Sequence, residues 1–123
     1  MNPYQLARMN GELIEKKICD RFQLTYVNDV HDAEKDGVKY EIKSCQIEIG
    51  KTHKRKGRFI LDEKDIELMK ENAVFIFVVH DGQGKILRCA FVHGKKLLSE
   101  MNIKKILSWR SLMLHVEKVY YDL

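Results

Sequence analysis

The chain has 123 residues, with 22 Lys and Arg against 18 Asp and Glu for a formal charge of +4, 45% hydrophobic and 33% charged residues. That length suits a single domain over residues 1–123 with a modest core, near the size at which pairing with a second copy adds stability. The longest apolar run, Ala73–Val79, is far too short to span a bilayer, and Cys19, Cys45 and Cys89 are odd in number and form no CxxC, which argues against a membrane protein or a disulfide-framed secreted scaffold and for a reduced, intracellular, cytoplasmic one.

Taken in chain order, Asn2-Pro3 reads as an N-cap followed by proline in the first helical turn. Tyr4, Ala7, Gly11, Ile14, Ile18 and Phe22 then recur at steps of three and four, which predicts an amphipathic helix of about twenty residues. At roughly 100° per residue Glu15 borders the buried stripe, while Glu12 points to water. Leu6 and Leu13 fall on another face, suited to a second contact. Gln23–Val30 is expected as a strand.

The stretch Val30–Ile49 follows as a hairpin, turned by Lys35-Asp36-Gly37. Val38, Tyr40 and Ile42 alternate with Lys39, Glu41 and Lys43, the period of a half-buried strand. Asp32, near the start of the first strand, is therefore expected close to Glu41 and Lys43. Next comes a basic loop, with Lys51, His53, Lys54, Arg55, Lys56 and Arg58 and no acid among them.

Asp62 caps a second helix, with Asp65 three residues on in the manner of a capping box and Ile66, Met69 and Ala73 as its apolar edge. Val74–Val79 is continuous and β-branched or aromatic, a strand covered on both faces. Asp81-Gly82-Gln83-Gly84 turns the chain into a strand over Ile86–Val92, and His93–Met101 starts a third helix. From Asn102 onward helix and strand compete, with an edge strand expected over Leu112–Tyr120. The order describes an α/β protein with a mixed sheet flanked by helices.

Two carboxylates and an ammonium on a stiff hairpin suit a divalent-metal site for phosphodiester hydrolysis. The plainer alternative is a solvated strand face with cross-strand charge pairs. Asp32 upstream and Glu15 beside the helix stripe weigh towards chemistry. The five histidines, His31, His53, His80, His93 and His115, show no zinc spacing. His31 is expected at the surface, Cys45 at the edge of the site, and Trp109, Tyr120 and Tyr121 in packing or a dimer contact.

Gly11-Glu12-Leu13-Ile14-Glu15, His31-Asp32-Ala33 and Tyr40-Glu41-Ile42-Lys43-Ser44 together resemble the PD-(D/E)xK nuclease superfamily, with its restriction-endonuclease-like αβββαβ core. The wording of the hairpin is similar to PvuII-type restriction endonucleases, and the compact layout to archaeal Holliday-junction resolvases. The likeness covers residues 8–92, with His31 where the motif name has proline. It implies a magnesium-dependent DNA endonuclease, manganese substituting, with Asp32, Glu41, the Ile42 backbone carbonyl and Glu15 as metal ligands. Lys43 would attend the attacking water and the phosphate, and the basic loop, Lys51 to Arg58, would contact DNA. Two strands to cut and one site per chain lead to the expectation of a homodimer. Restriction-type cleavage, resolution of a branched junction and a catalytically idle DNA-binding module all stay open.

Overall fold

A computed structural model describes residues 2–28, 31–49, 55–100, 106–114, 116 and 118–123. Helix α1 (Pro3–Phe22) begins where the sequence places it. The Asn2 side chain accepts from the Gln5 backbone N–H at 2.8 Å and the Gln5 side chain accepts from that of Asn2 at 3.2 Å, a reciprocal cap. Gln23, left-handed at φ 57°, ends it.

Strands β1 (Thr25–Tyr26), β2 (Ala33–Lys35) and β3 (Val38–Gln46) are antiparallel neighbours. Asp36 and Gly37 both take positive φ, 52° and 78°, and join Lys35 to its partner Val38. Such a turn matches the right-handed twist of the strands it connects, which is why Asp-Gly predicts it correctly. The strand expected over Gln23–Val30 keeps only two residues. Asn28 turns the chain at φ 49°, and the N–H groups of Val27 and Asn28 donate to the Asp32 carbonyl at 2.9 and 3.2 Å instead of extending a ladder. Its last two positions lie outside the described residues.

Past β3, β4 (Glu48–Ile49) pairs antiparallel with β5 (Arg55–Lys56), so the expected basic loop is rooted in a short ribbon. Strand β6 (Arg58–Ile60) leads into α2 (Glu63–Lys70), which carries the foreseen capping box between Asp62 and Asp65. Strand β7 (Ala73–His80) runs parallel to β3 and is buried at every residue. Strand β8 (Ile86–His93) returns antiparallel and α3 (Gly94–Glu100) follows. Strand β9 (Ile106–Ser108) pairs with β6, and β10 (Val119–Tyr121) lies along the edge of β8. The edge strand expected over Leu112–Tyr120 is shorter, because α4 (Trp109–Met113), capped by Ser108, takes the residues before it.

The main sheet has the order β1-β2-β3-β7-β8-β10. Ile42, Ile76 and Val78 face Ile14, Ile18 and Cys19 of α1 on one side. Phe75, Phe77 and Val79 face Phe59, Leu68, Met69, Leu97 and Leu112 on the other. This mixed, helix-flanked α/β sheet agrees with the expected restriction-endonuclease-like core. Among the described residues no helix is long and apolar enough to cross a membrane.

Gly57 ties the ribbon to the sheet. Its N–H donates to the Ile47 carbonyl at 3.2 Å, and its own carbonyl accepts from the Trp109 N–H at 3.2 Å. A Cβ there would lie 1.7 Å from the Gln46 carbonyl oxygen, a backbone atom that cannot retreat. Gly57→Ala is expected to cost about 3 kcal/mol of stability in urea denaturation, since only displacing the ribbon relieves the overlap. Gly82→Ala, where φ is not positive and the nearest neighbour is a flexible side-chain atom 3.9 Å away, should leave stability unchanged or raise it by up to about 1 kcal/mol.

Candidate active site

Asp32 is held on all sides by backbone. Its N–H donates to the Tyr40 carbonyl at 3.1 Å, its carbonyl accepts from Val27 and Asn28, and its side chain accepts from the Ile42 N–H at 2.8 Å. In an antiparallel strand a residue's N–H and C=O point to the same edge. The Ile42 carbonyl therefore opens on the Asp32 side, beyond the end of the β2 ladder at Ala33 and Tyr40.

Glu41, pairing in register with Phe75 of β7, is only 2% exposed. On the odd-numbered face of β3, which alternation alone leaves open to being a solvated charged face, Glu41 and Lys43 are met by Asp65 and Lys64 of α2, while Lys39 stays half-exposed. Lys43 sits on the same face, its Nζ 3.8 Å from Glu41 and 2.8 Å from Asp65. Asp65 is fully buried, and Lys64 of α2 reaches to 4.0 Å from Glu41. Asp32, Glu41 and Lys43 thus converge, as expected of the hairpin.

Asp65 is the member of this group that sequence reading passes over. As the third residue of α2 its carboxylate accepts from the Asp62 N–H at 2.9 Å, which accounts for it locally. Its second role, the ion pair with Lys43, arises only because α2 packs over β3. The one available signal was an acid inside an apolar helix edge, between Leu61 and Met69.

Burial, then the hydrogen bond and charge of Asp32, push the Glu41 carboxyl far above the ordinary carboxylate range, with Lys43 opposing. The Glu41 carboxyl also reaches Asp65, whose Oδ1 has no donor among the described residues. Contacts between acids of this kind need a proton or a cation to hold them. Burial lowers the Lys43 pKa, but the hydrogen bond to Asp65 and the charges of Glu41, Asp65 and Asp62 raise it by more, so it stays an ammonium.

Glu15 is half-buried on α1. It accepts from the Tyr26 hydroxyl at 3.1 Å. Burial and the neighbouring Asp32 charge push its pKa up to about 7. It borders the acidic group from the helix side without joining the Asp32–Glu41 pair. Among the described residues no three His, Cys, Asp or Glu side chains form a ready metal cage.

His31, expected at the surface, is buried, with Nε2 2.6 Å from Glu34 and Nδ1 unpartnered among the described residues. Cys45 lies in the core under the ribbon rather than at the rim of the site. Of the expected DNA contacts, Lys51, His53 and Lys54 lie outside the described residues. Arg55 and Lys56 form β5, and Arg58 is exposed on β6.

A family model described as the PD-(D/E)XK nuclease superfamily domain matches residues 1–118, nearly the whole chain. No curated protein matches it.

The raised Glu41 pKa has a consequence for stability. A carboxyl whose folded pKa exceeds its unfolded value gives a contribution that is complete below the unfolded value, near 4.5, and is lost as pH rises through the folded one. Glu41→Gln removes that loss. In EDTA the variant should be more stable than the wild type by on the order of 1–2 kcal/mol at pH 8 in urea denaturation, and the two should converge at pH 4. Equal curves at pH 8 would contradict the assignment.

Proposed function

The chain belongs to the PD-(D/E)XK nuclease superfamily, and from that premise we propose that it is a divalent-metal-dependent endonuclease hydrolysing phosphodiester bonds of duplex DNA, in the manner of a restriction enzyme. The observation that carries this reading is the surplus of buried acid. Buried Glu41 meets the half-buried Asp32 on one side and buried Asp65 on the other, while the closely held ammonium, Lys43, lies on Asp65, and a carboxyl pair of that kind fits a hard cation.

Asp32, Glu41 and the Ile42 carbonyl would hold magnesium, with manganese as an equivalent, and Glu15 would complete the shell from α1 through water. Such an ion supplies charge to polarise the scissile phosphate and acidity to a water molecule near neutral pH. The protein's own groups do the rest. Lys43, kept protonated by Asp65, donates to the water or to a phosphate oxygen and offsets the charge that builds there. Asp65 fixes the Lys43 ammonium without touching substrate. The grip of Val27, Asn28, Tyr40 and Ile42 on Asp32 keeps its carboxylate from swinging away.

The basic segment from Lys51 to Arg58 enters the reading as the DNA contact. Its ribbon springs from the strand that carries Glu41 and Lys43, so phosphates neutralised there lie along the approach to the acids. Two-fold pairing of the chain belongs to the same proposal, because a duplex presents two strands and each copy supplies one set of hydrolytic residues.

Incubation with supercoiled plasmid, linear duplex and a four-way junction, each with magnesium or with EDTA, tests the reading. Cleavage of plasmid and duplex in magnesium alone is expected, reduced at least about 100-fold by Asp32→Asn or Lys43→Ala with the fold intact. Cutting of the junction with the duplex left whole would instead mark a structure-specific resolvase. Binding of DNA without cleavage in either ion would mark an idle DNA-binding module. Separately, reversing the charges of Lys54, Arg55 and Lys56 should flatten the dependence of log affinity on log salt by about 3, near one unit per lost phosphate contact. An unchanged slope would remove the ribbon from the interface.

A further inference from the structure

A cavity of about 410 Å³ opens at the far end of the sheet, between α4 and β10. Its walls include Arg88, Trp109, Arg110 and Tyr121, and among the described residues no carboxylate lines it. Arg88 stands on β8 directly opposite Tyr121 of β10. Its guanidinium carbon lies 4.6 Å from the centre of the Trp109 ring and 5.8 Å from that of Tyr121. Stacking between two aromatic rings fixes the plane of a guanidinium while leaving its N–H fork at the edge free to donate. Arg110, exposed on α4, adds a second cation to the same cavity.

An aligned arginine fork, with a second arginine beside it and no lining acid, is the chemistry that takes a phosphate group bidentately. The exposed Tyr121 ring gives a neighbouring base a face to stack on. The cavity is also joined to the basic ribbon. The indole N–H of Trp109 donates to the Ile47 carbonyl at 2.8 Å and the Trp109 backbone to Gly57, the two residues at the root of that ribbon. From this arrangement we propose that the Arg88–Arg110 cavity is a second phosphate-binding subsite, which holds the backbone of a nucleic-acid strand away from the Asp32–Glu41 acids. The identity of the strand rests on the nuclease reading. The phosphate site itself rests on the cavity.

Trp109 is the chain's sole tryptophan and forms the wall behind Arg88, so its fluorescence reports the site directly. The full chain is titrated in EDTA and low salt with a 5′-phosphorylated thymidine hexanucleotide, and in parallel with inorganic phosphate. A saturable change in Trp109 emission with the hexanucleotide is expected, with affinity reduced about tenfold in Arg110→Gln and further in Arg88→Gln. Arg110 is exposed, so its variant keeps the proposal testable should Arg88→Gln unfold. Absence of a saturable change, or wild-type affinity in Arg110→Gln, would overturn the subsite. Equal affinity for inorganic phosphate would overturn the strand as its ligand. Because no divalent ion is present, failure here leaves the hydrolytic reading standing, and failure of cleavage leaves the subsite standing.

Discussion

Glu41 is buried in the protein beside Asp32, and the ammonium nearest to it is shared. Lys43 stands 3.8 Å from Glu41 but 2.8 Å from Asp65, and Lys64 only reaches 4.0 Å from the solvent side. A carboxylate taken out of water without a full counter-charge costs several kcal/mol or takes up a proton. Much of the surrounding architecture serves to impose that situation. β7 pairs with β3 from one side, α2 covers it, and the bend at Asn28 grips Asp32 from the other side. A fold selected for stability alone would place an amide or an apolar residue at position 41. Keeping the acid there is the kind of local conflict that accompanies a binding or catalytic site.

The same constraint orders the roles of the neighbouring groups. Because Asp65 holds Lys43 and keeps it charged, Lys43 is suited to offset charge and to orient a water rather than to remove a proton from one. Glu15, on α1 and held by Tyr26, lies close enough to Asp32 that burial and this charge together raise its pKa to about 7. The ribbon and the Trp109 anchor extend the surface away from the acids, so in the proposed reading the chemistry and the grip on a polyanion occupy connected but separate parts of the molecule.

Much of this was legible in the sequence because its signals are local. Asn2-Pro3, the apolar steps to Phe22, the Asp36-Gly37 turn and the Asp62–Asp65 cap each depend on a few adjacent residues, and each appears in the structure. Alternation along β3 together with the hairpin register was enough to bring Asp32, Glu41 and Lys43 together. What escaped depends on distant packing. Asp65 reads as a cap until α2 is laid over β3, and His31 reads as a surface residue until the chain folds back around it. Gln23–Val30 carries strand formers, yet its amides bond to the Asp32 carbonyl. Near the C-terminus, a short helix and a three-residue strand replace one longer strand, because Trp109 is drawn in to anchor Ile47 and Gly57.

Thermal unfolding in the absence of DNA tests the central claim most directly, that the Asp32–Glu41 pair is a seat for a divalent cation. Magnesium or manganese added to the metal-free wild type at pH 8 should raise its Tm saturably, by several degrees once the ion is well above its dissociation constant. The same additions should leave Asp32→Asn unmoved. Identical shifts in the two proteins, or no shift in the wild type, would contradict the account.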